Sequence, residues 1–124
     1  MLNRILILLT VMSSLFGTNI YHVSTSGSNT NDGSESSPYQ TIQYAIDEAS
    51  SGDTILVQPG TYSENLDIQR RLSVTIGSLY LTTGDTSYIR STIINGGGNG
   101  PTIFMETWDN YLDNYGLASL YLKG

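Results

Sequence analysis

Residues 20–62 read IYHVSTSGSNTNDGSESSPYQTIQYAIDEASSGDTILVQPGTY, and the order of their parts decides the fold. Ile20–Ser24 alternates in the manner of a short strand, with Tyr21 and Val23 on one face and Ile20 and His22 on the other. Thr25–Ser36 contains no apolar side chain and is built from turn formers; Asp32-Gly33 is a turn signal because Gly supplies a positive φ without steric cost. Ser37-Pro38-Tyr39-Gln40 has the form of a capping box, with Ser37 as N-cap, Pro38 at the first helical position and Gln40 reaching back. Tyr39, Ile42, Ala45, Ile46 and Ala49 then fall on one helical stripe, and Gly52 is placed to end the helix. Such a helix is too short to stand alone, so its apolar face needs a surface to cover. Asp53–Tyr62 is an apolar strand stopped by Pro59-Gly60.

Outward from this stretch the pattern changes to short strands and turns. Strands are expected at Asn65–Ile68, Leu72–Ile76, Ser91–Ile94, Thr102–Met105 and Leu117–Leu122. Polar joints at Thr82–Ser87 and Gly96–Pro101 separate them, and no second helix is expected. This arrangement suits a solenoid with side loops of unequal length; a β-sandwich is the competing all-β architecture, but no run of paired alternating hairpin strands supports it.

Composition narrows the classes. The 124 residues suffice for one domain with a modest core, and only 13% of them are charged. A net charge of −6 provides no basic patch to neutralise phosphates, so nucleic acid is not an expected partner. With no cysteine there can be neither disulfides nor thiolate metal sites. Met1–Arg4 is a basic start, Ile5–Met12 an apolar run and Ser13–Gly17 a small-residue segment, which is the pattern of a secretory signal peptide over residues 1–17. The apolar run is shorter than the roughly 20 residues of a membrane-spanning helix, so a secreted or cell-surface protein with no membrane segment in its mature form is expected.

The linked motifs Tyr21-His22-Val23-Ser24, Gly27-Ser28-Asn29, Asn31-Asp32-Gly33-Ser34, Pro38-Tyr39, Thr41-Ile42-Gln43, Ala45-Ile46-Asp47, Gly52-Asp53-Thr54-Ile55 and Pro59-Gly60-Thr61-Tyr62 resemble the N-terminal region of secreted right-handed parallel β-helix proteins of the pectin-lyase-like superfamily. In bacterial members this region often carries a domain-of-unknown-function label. The resemblance implies an all-β chain that begins a single-stranded, right-handed parallel β-helix, with its N-terminal end capped by one short amphipathic helix. Residues 18–62 would supply the strand, loop, helix and first strand, and residues 63–124 the first, incomplete coils. It also implies polysaccharide as the usual ligand class. Leu120-Tyr121-Leu122 is an apolar strand with no second cap after it, so a chain truncated at its C-terminus is expected, with the remaining coils of a longer β-helix as its natural partner.

Candidate chemistry is sparse. Lyases of this kind abstract a proton beside a uronate carboxylate and need a base and a cation; Arg70, Arg71, Arg90 and Lys123 are the available cations, and none matches the family's catalytic positions. No catalytic or cofactor-binding residue is therefore assigned. Asp32 and Glu35 in the polar loop are the candidate calcium ligands, although Asx turns would use the same residues without a metal. His22, the single histidine, has no second ligand of its type and reads as a strand residue. Trp108, Tyr111 and Tyr115 are the candidate glycan-stacking residues, with ordinary packing as the alternative use of the same rings. Three functions remain open: a non-catalytic scaffold or capping portion associated with extracellular polysaccharide, the beginning of a pectate- or alginate-type lyase whose active site lies in further coils, and a surface adhesin stalk.

Overall fold

The computed structural model describes residues 18–68, 73–105 and 121–123, the last three by their backbone. The expected signal peptide, Arg70, Arg71, Trp108, Tyr111 and Tyr115 lie outside the described residues.

Most of the elements are short strands: β1 (Ile20–Val23), β2 (Thr54–Val57), β3 (Gly60–Tyr62), β4 (Leu66–Ile68), β5 (Thr75–Ser78), β6 (Thr92–Asn95), β7 (Ile103–Met105) and β8 (Tyr121–Lys123). Helix α1 spans Ile42–Glu48, and two further helical turns, α2 (Tyr80–Thr83) and α3 (Ser87–Ser91), lie between β5 and β6. The strands form three parallel sheets, ordered β1-β2-β5, β3-β6-β8 and β4-β7. The chain therefore visits the three sheets in rotation: β2, β3 and β4 are laid down one after another, and β5, β6 and β7 return to pair with each in turn.

In-register pairing stacks like on like. Ile55 faces Ile76, Tyr62 faces Ile94 and Leu66 faces Ile103. These files, with Val23, Val57 and Ile68, make the core, into which α1 inserts Ile42, Ala45 and Ile46. Each fully buried Ile, Leu or Val contributes about 1.5–3 kcal/mol relative to exposure, and this is what holds strands of only three or four residues.

Five expectations need correction. Helix α1 starts at Ile42, with Thr41 as N-cap accepting from the Tyr44 N–H, not at Ser37-Pro38. Tyr39 has instead joined the sheet: its N–H donates to the His22 carbonyl at 2.9 Å and its carbonyl accepts from the Ser24 N–H at 2.9 Å. A backbone so engaged cannot also open a helix. The helix ends at Glu48, before Gly52, whose φ of 98° serves the turn into β2. Asp53–Tyr62 is two strands, because Gln58-Pro59 turns a corner between sheets. The Thr82–Ser87 joint is flanked by α2 and α3, with Gly84 closing α2 at φ 71°. The ladder of β5 also runs through Gly77 and Ser78, opposite Leu56 and Val57, beyond the expected strand end at Ile76.

Candidate functional site

The densest polar arrangement is the loop between β1 and α1 together with the strand edges it covers. β1 pairs with β2 on one side only. On its other side the His22 N–H donates to the Gly33 carbonyl at 2.7 Å, and Tyr39 bonds on both flanks of Val23. Gly33 can sit there because its φ of 77° suits glycine and because the rings of Tyr39 and Tyr21 occupy the place a Cβ would take. Gly27 is likewise pressed against the Pro38 and Tyr39 carbonyls.

Asn29 ties this loop to the helix entrance. Its Oδ1 accepts from the Gln40 N–H at 2.9 Å and the Thr41 N–H at 3.1 Å, while its Nδ2 donates to Thr41 Oγ1 at 3.0 Å. Asn31 Nδ2 donates to the Pro38 carbonyl at 2.9 Å. The first free amides of α1 are met by Glu64 from the β3–β4 connection: Ile42 N–H to Oε1 at 3.0 Å and Gln43 N–H to Oε2 at 2.9 Å.

Gln43 closes a second edge. Its Oε1 accepts from the Asp67 N–H at 2.8 Å and its Nε2 donates to the Asp67 carbonyl at 3.1 Å. One side-chain amide thus makes the donor–acceptor pair that a neighbouring strand would make, on the side of β4 away from β7. Asp53, buried at 1% exposure, accepts from the Asn19 N–H at 2.7 Å and the Ser50 N–H at 2.8 Å, fixing the start of β1 beside the turn that leads into β2. Asn29, Gln43 and Asp53 entered the sequence reading only as members of the resemblance motifs, and Glu64 not at all; the backbone groups they hold lie up to 34 residues away.

The predicted site residues fall as follows. Asp32 is exposed, and its Oδ1 accepts from the Ser34 N–H at 2.9 Å, an Asx turn; its bonds to Ser34 hold its carboxyl below the usual carboxylate range. Glu35 is exposed on the same loop. No group of three or more His, Cys, Asp or Glu side chains placed to hold a metal occurs among the described residues. His22 lies in register with Leu56, and its buried Nδ1 has no hydrogen-bond partner. Arg90 is exposed in the last turn of α3. The side chain of Lys123 is outside the described residues.

An aromatic cluster that was not anticipated sits over the loop. The Tyr21 and Tyr39 ring centroids are 5.7 Å apart, and Tyr39 and Tyr44 meet edge-on at 5.0 Å. Burial, then the nearby Asp53 and Glu48 charges, raise the Tyr21 phenol above its ordinary value; burial likewise raises Tyr39. Tyr62 lies deeper, donating to the Gln58 carbonyl at 2.9 Å and approaching the Val23 carbonyl at 3.3 Å, and burial pushes it up to about 12. On the outer surface, Phe104 is half exposed in register with exposed Asp67.

Comparison with known proteins places this arrangement. Residues 25–104, more than half of the chain, match the family described as "Protein of unknown function (DUF1565)", and the chain belongs to that family, a domain found in pectin-lyase-like β-helix proteins. This is the domain-of-unknown-function type that the motifs of residues 20–62 resemble. A curated relative, "Uncharacterized protein YwoF" of Bacillus subtilis (strain 168), is 38% identical over 48 residues, covering 39% of this chain and 10% of that protein. A solved chain described as "The complex structure of XylC with xylose" is 31% identical with a TM-score of 0.44, covering 48% of this chain and 10% of that one. The chain thus spans about a tenth of the length of each of these proteins.

Proposed function

We propose that this chain is the N-terminal capping portion of a longer, secreted, right-handed parallel β-helix, exported by residues 1–17, and that the assembled protein engages extracellular polysaccharide. One observation carries the reading. The edges of β1 and β4 that face the N-terminal side are closed by Gly33, Tyr39 and Gln43, while β5 and β7 have no partner on their far sides among the described residues. A segment that seals the N-terminal edges of its ladders is what a solenoid needs at its beginning. The rotation of the chain through three parallel sheets supports a coil, and parallel crossovers are right-handed in about 98% of cases, which supports the hand. The small share of the relatives that this chain covers supports a longer whole.

No base is assigned from the sequence, and no group of three or more possible metal ligands occurs among the described residues, so we read the cap as non-catalytic, with any chemistry in later coils. Calcium at Asp32 and Glu35 is left out of the reading, since no group of three or more possible metal ligands occurs among the described residues. The glycan-stacking roles of Trp108, Tyr111 and Tyr115 rest on the sequence alone.

The test is to express the chain alone and fused to the coding sequence downstream of Gly124. Capping predicts that the longer product melts cooperatively at a higher temperature, and that deleting residues 18–52 from it causes aggregation. A longer product indifferent to that deletion would sink the proposal. Binding is read by titrating the longer product with pectate, alginate and xylan. Release of unsaturated uronate by the 124-residue chain would overturn the non-catalytic reading.

A further inference from the structure

The sequence contains two Asn-Gly pairs, Asn95-Gly96 and Asn99-Gly100, and one Asp-Gly pair, Asp32-Gly33. All three share the chemistry for backbone-assisted rearrangement, because glycine leaves the following amide nitrogen unhindered. The structure separates them. Asn95 ends β6 in register with Lys123, its Oδ1 accepts from the Gly97 N–H at 3.0 Å, and Gly96 is buried, packed on Thr102 and the Asn65 amide. Asp32 Oδ1 is held by the Ser34 N–H, and the Gly33 N–H donates to the Ser37 carbonyl at 3.0 Å. Asn99, by contrast, is exposed, its side chain has no hydrogen bond among the described residues, and the space beside Gly97, Gly98 and Gly100 is open.

We infer that Asn99 is a site of spontaneous deamidation and isoaspartate formation in the folded protein, and that the fold protects Asn95 from the same reaction. The Gly100 backbone nitrogen attacks Asn99 Cγ. The new N–Cγ bond closes a five-membered imide, the Cγ–Nδ2 bond breaks, and the side-chain nitrogen leaves as ammonia with the proton lost from Gly100. Water then opens the ring at either carbonyl, giving aspartate or isoaspartate; one water is consumed and one ammonia released. The reaction needs the Asn side chain and the next amide to rotate into alignment. An open turn permits that rotation, whereas a ladder end packed on Thr102 must first open locally. The product places a carboxylate in a turn already exposed to water, and in the isoaspartate form lengthens the backbone there.

The experiment incubates the full 124-residue chain at mildly alkaline pH, digests it, and locates the amide-to-acid mass change by fragmentation. Isoaspartate is read independently by methyl transfer from S-adenosylmethionine catalysed by an isoaspartyl methyltransferase. A parallel sample in concentrated urea gives the unprotected rates. The expected result is conversion at Asn99 in the folded chain, with Asn95 at least about tenfold slower, and similar rates at the two sites in urea. Asn99→Gln should abolish the methyl-accepting signal of the folded chain, and Asn95→Gln should leave it. Comparable rates at both sites in the folded chain, faster conversion at Asn95, or a silent Asn99 beside a reactive urea sample would each overturn the inference.

Discussion

Gln43 closes the outer edge of β4 with one side chain, and its replacement separates edge closure from helix formation. Gln43→Leu keeps a good helix former but removes both bonds to Asp67, and should lower stability in urea unfolding by about 1–2 kcal/mol, at the modest end because water can reach the freed groups. Gln43→Glu retains an acceptor for the Asp67 N–H but turns a carboxylate oxygen toward the Asp67 carbonyl and the Asp47 carboxylate, and should lose at least as much. Asp53 presents the harsher case. Its carboxylate is buried against two backbone N–H groups, so Asp53→Ala leaves both unsatisfied and is expected to cost about 2–4 kcal/mol, measured in the same way, with Asp53→Asn recovering part of the loss.

Helix α1 shows the next scale. Its seven residues are too few to hold without help, and help comes from the buried Ile42, Ala45 and Ile46 below and from Asn29, Thr41 and Glu64 at its start. Asn29→Ala should raise the hydrogen-exchange rates of the Gln40 and Thr41 amides well before it melts the sheets, at a cost of about 1–3 kcal/mol to the global fold. Unchanged exchange at those two amides would show that Asn29 does not hold the entrance. The helix also marks how far local reading reaches. Its stripe was legible because the period of 3.6 is a local property, and three of the five stripe residues are buried within it. Its first turn was misread because Ser37, Pro38 and Gln40 do satisfy a local capping rule, while the winning interaction for Tyr39 lies across the chain at His22 and Ser24. Likewise the Pro59-Gly60 break was visible, but that β2 and β3 belong to different sheets was not.

For the molecule as a whole, tyrosine burial predicts the alkaline limit. The Tyr62 phenol ionises at its ordinary value of 10.0 in the unfolded chain and only near about 12 when folded, so the stability that depends on its neutral form is complete below 10.0 and is lost as pH rises through that window. Melting temperature should fall over the window, and Tyr62→Phe should flatten the fall while lowering stability near neutrality through the lost bonds to Gln58 and Val23. An equally steep fall in Tyr62→Phe would assign the alkaline limit to other groups. At the acid end, Asp32 and Asp85 have carboxyls held below the unfolded value of 3.8 by their bonds to Ser34 and Ser87. What they contribute is present above 3.8 and lost as pH falls through their folded values; both are exposed, so the effect on melting should be small and weakened by salt.

The strand-rich class, the places of most strands, the one amphipathic stripe and the family resemblance were all legible in the residues, because periodicity, turn residues and linked motifs are written in neighbouring positions. The sequence also supplied the candidate ligand residues, of which Asp32 is used in a turn and Trp108, Tyr111 and Tyr115 stay with the sequence alone. The closing of the strand edges and of the helix start, by contrast, was settled between distant parts of the chain. Gly33 on His22, Gln43 on Asp67, Glu64 on the helix start and Asp53 on Asn19 are all bonds to backbone groups. Every residue offers the same backbone donor and acceptor, so nothing in a sequence pattern says which one a distant side chain will meet.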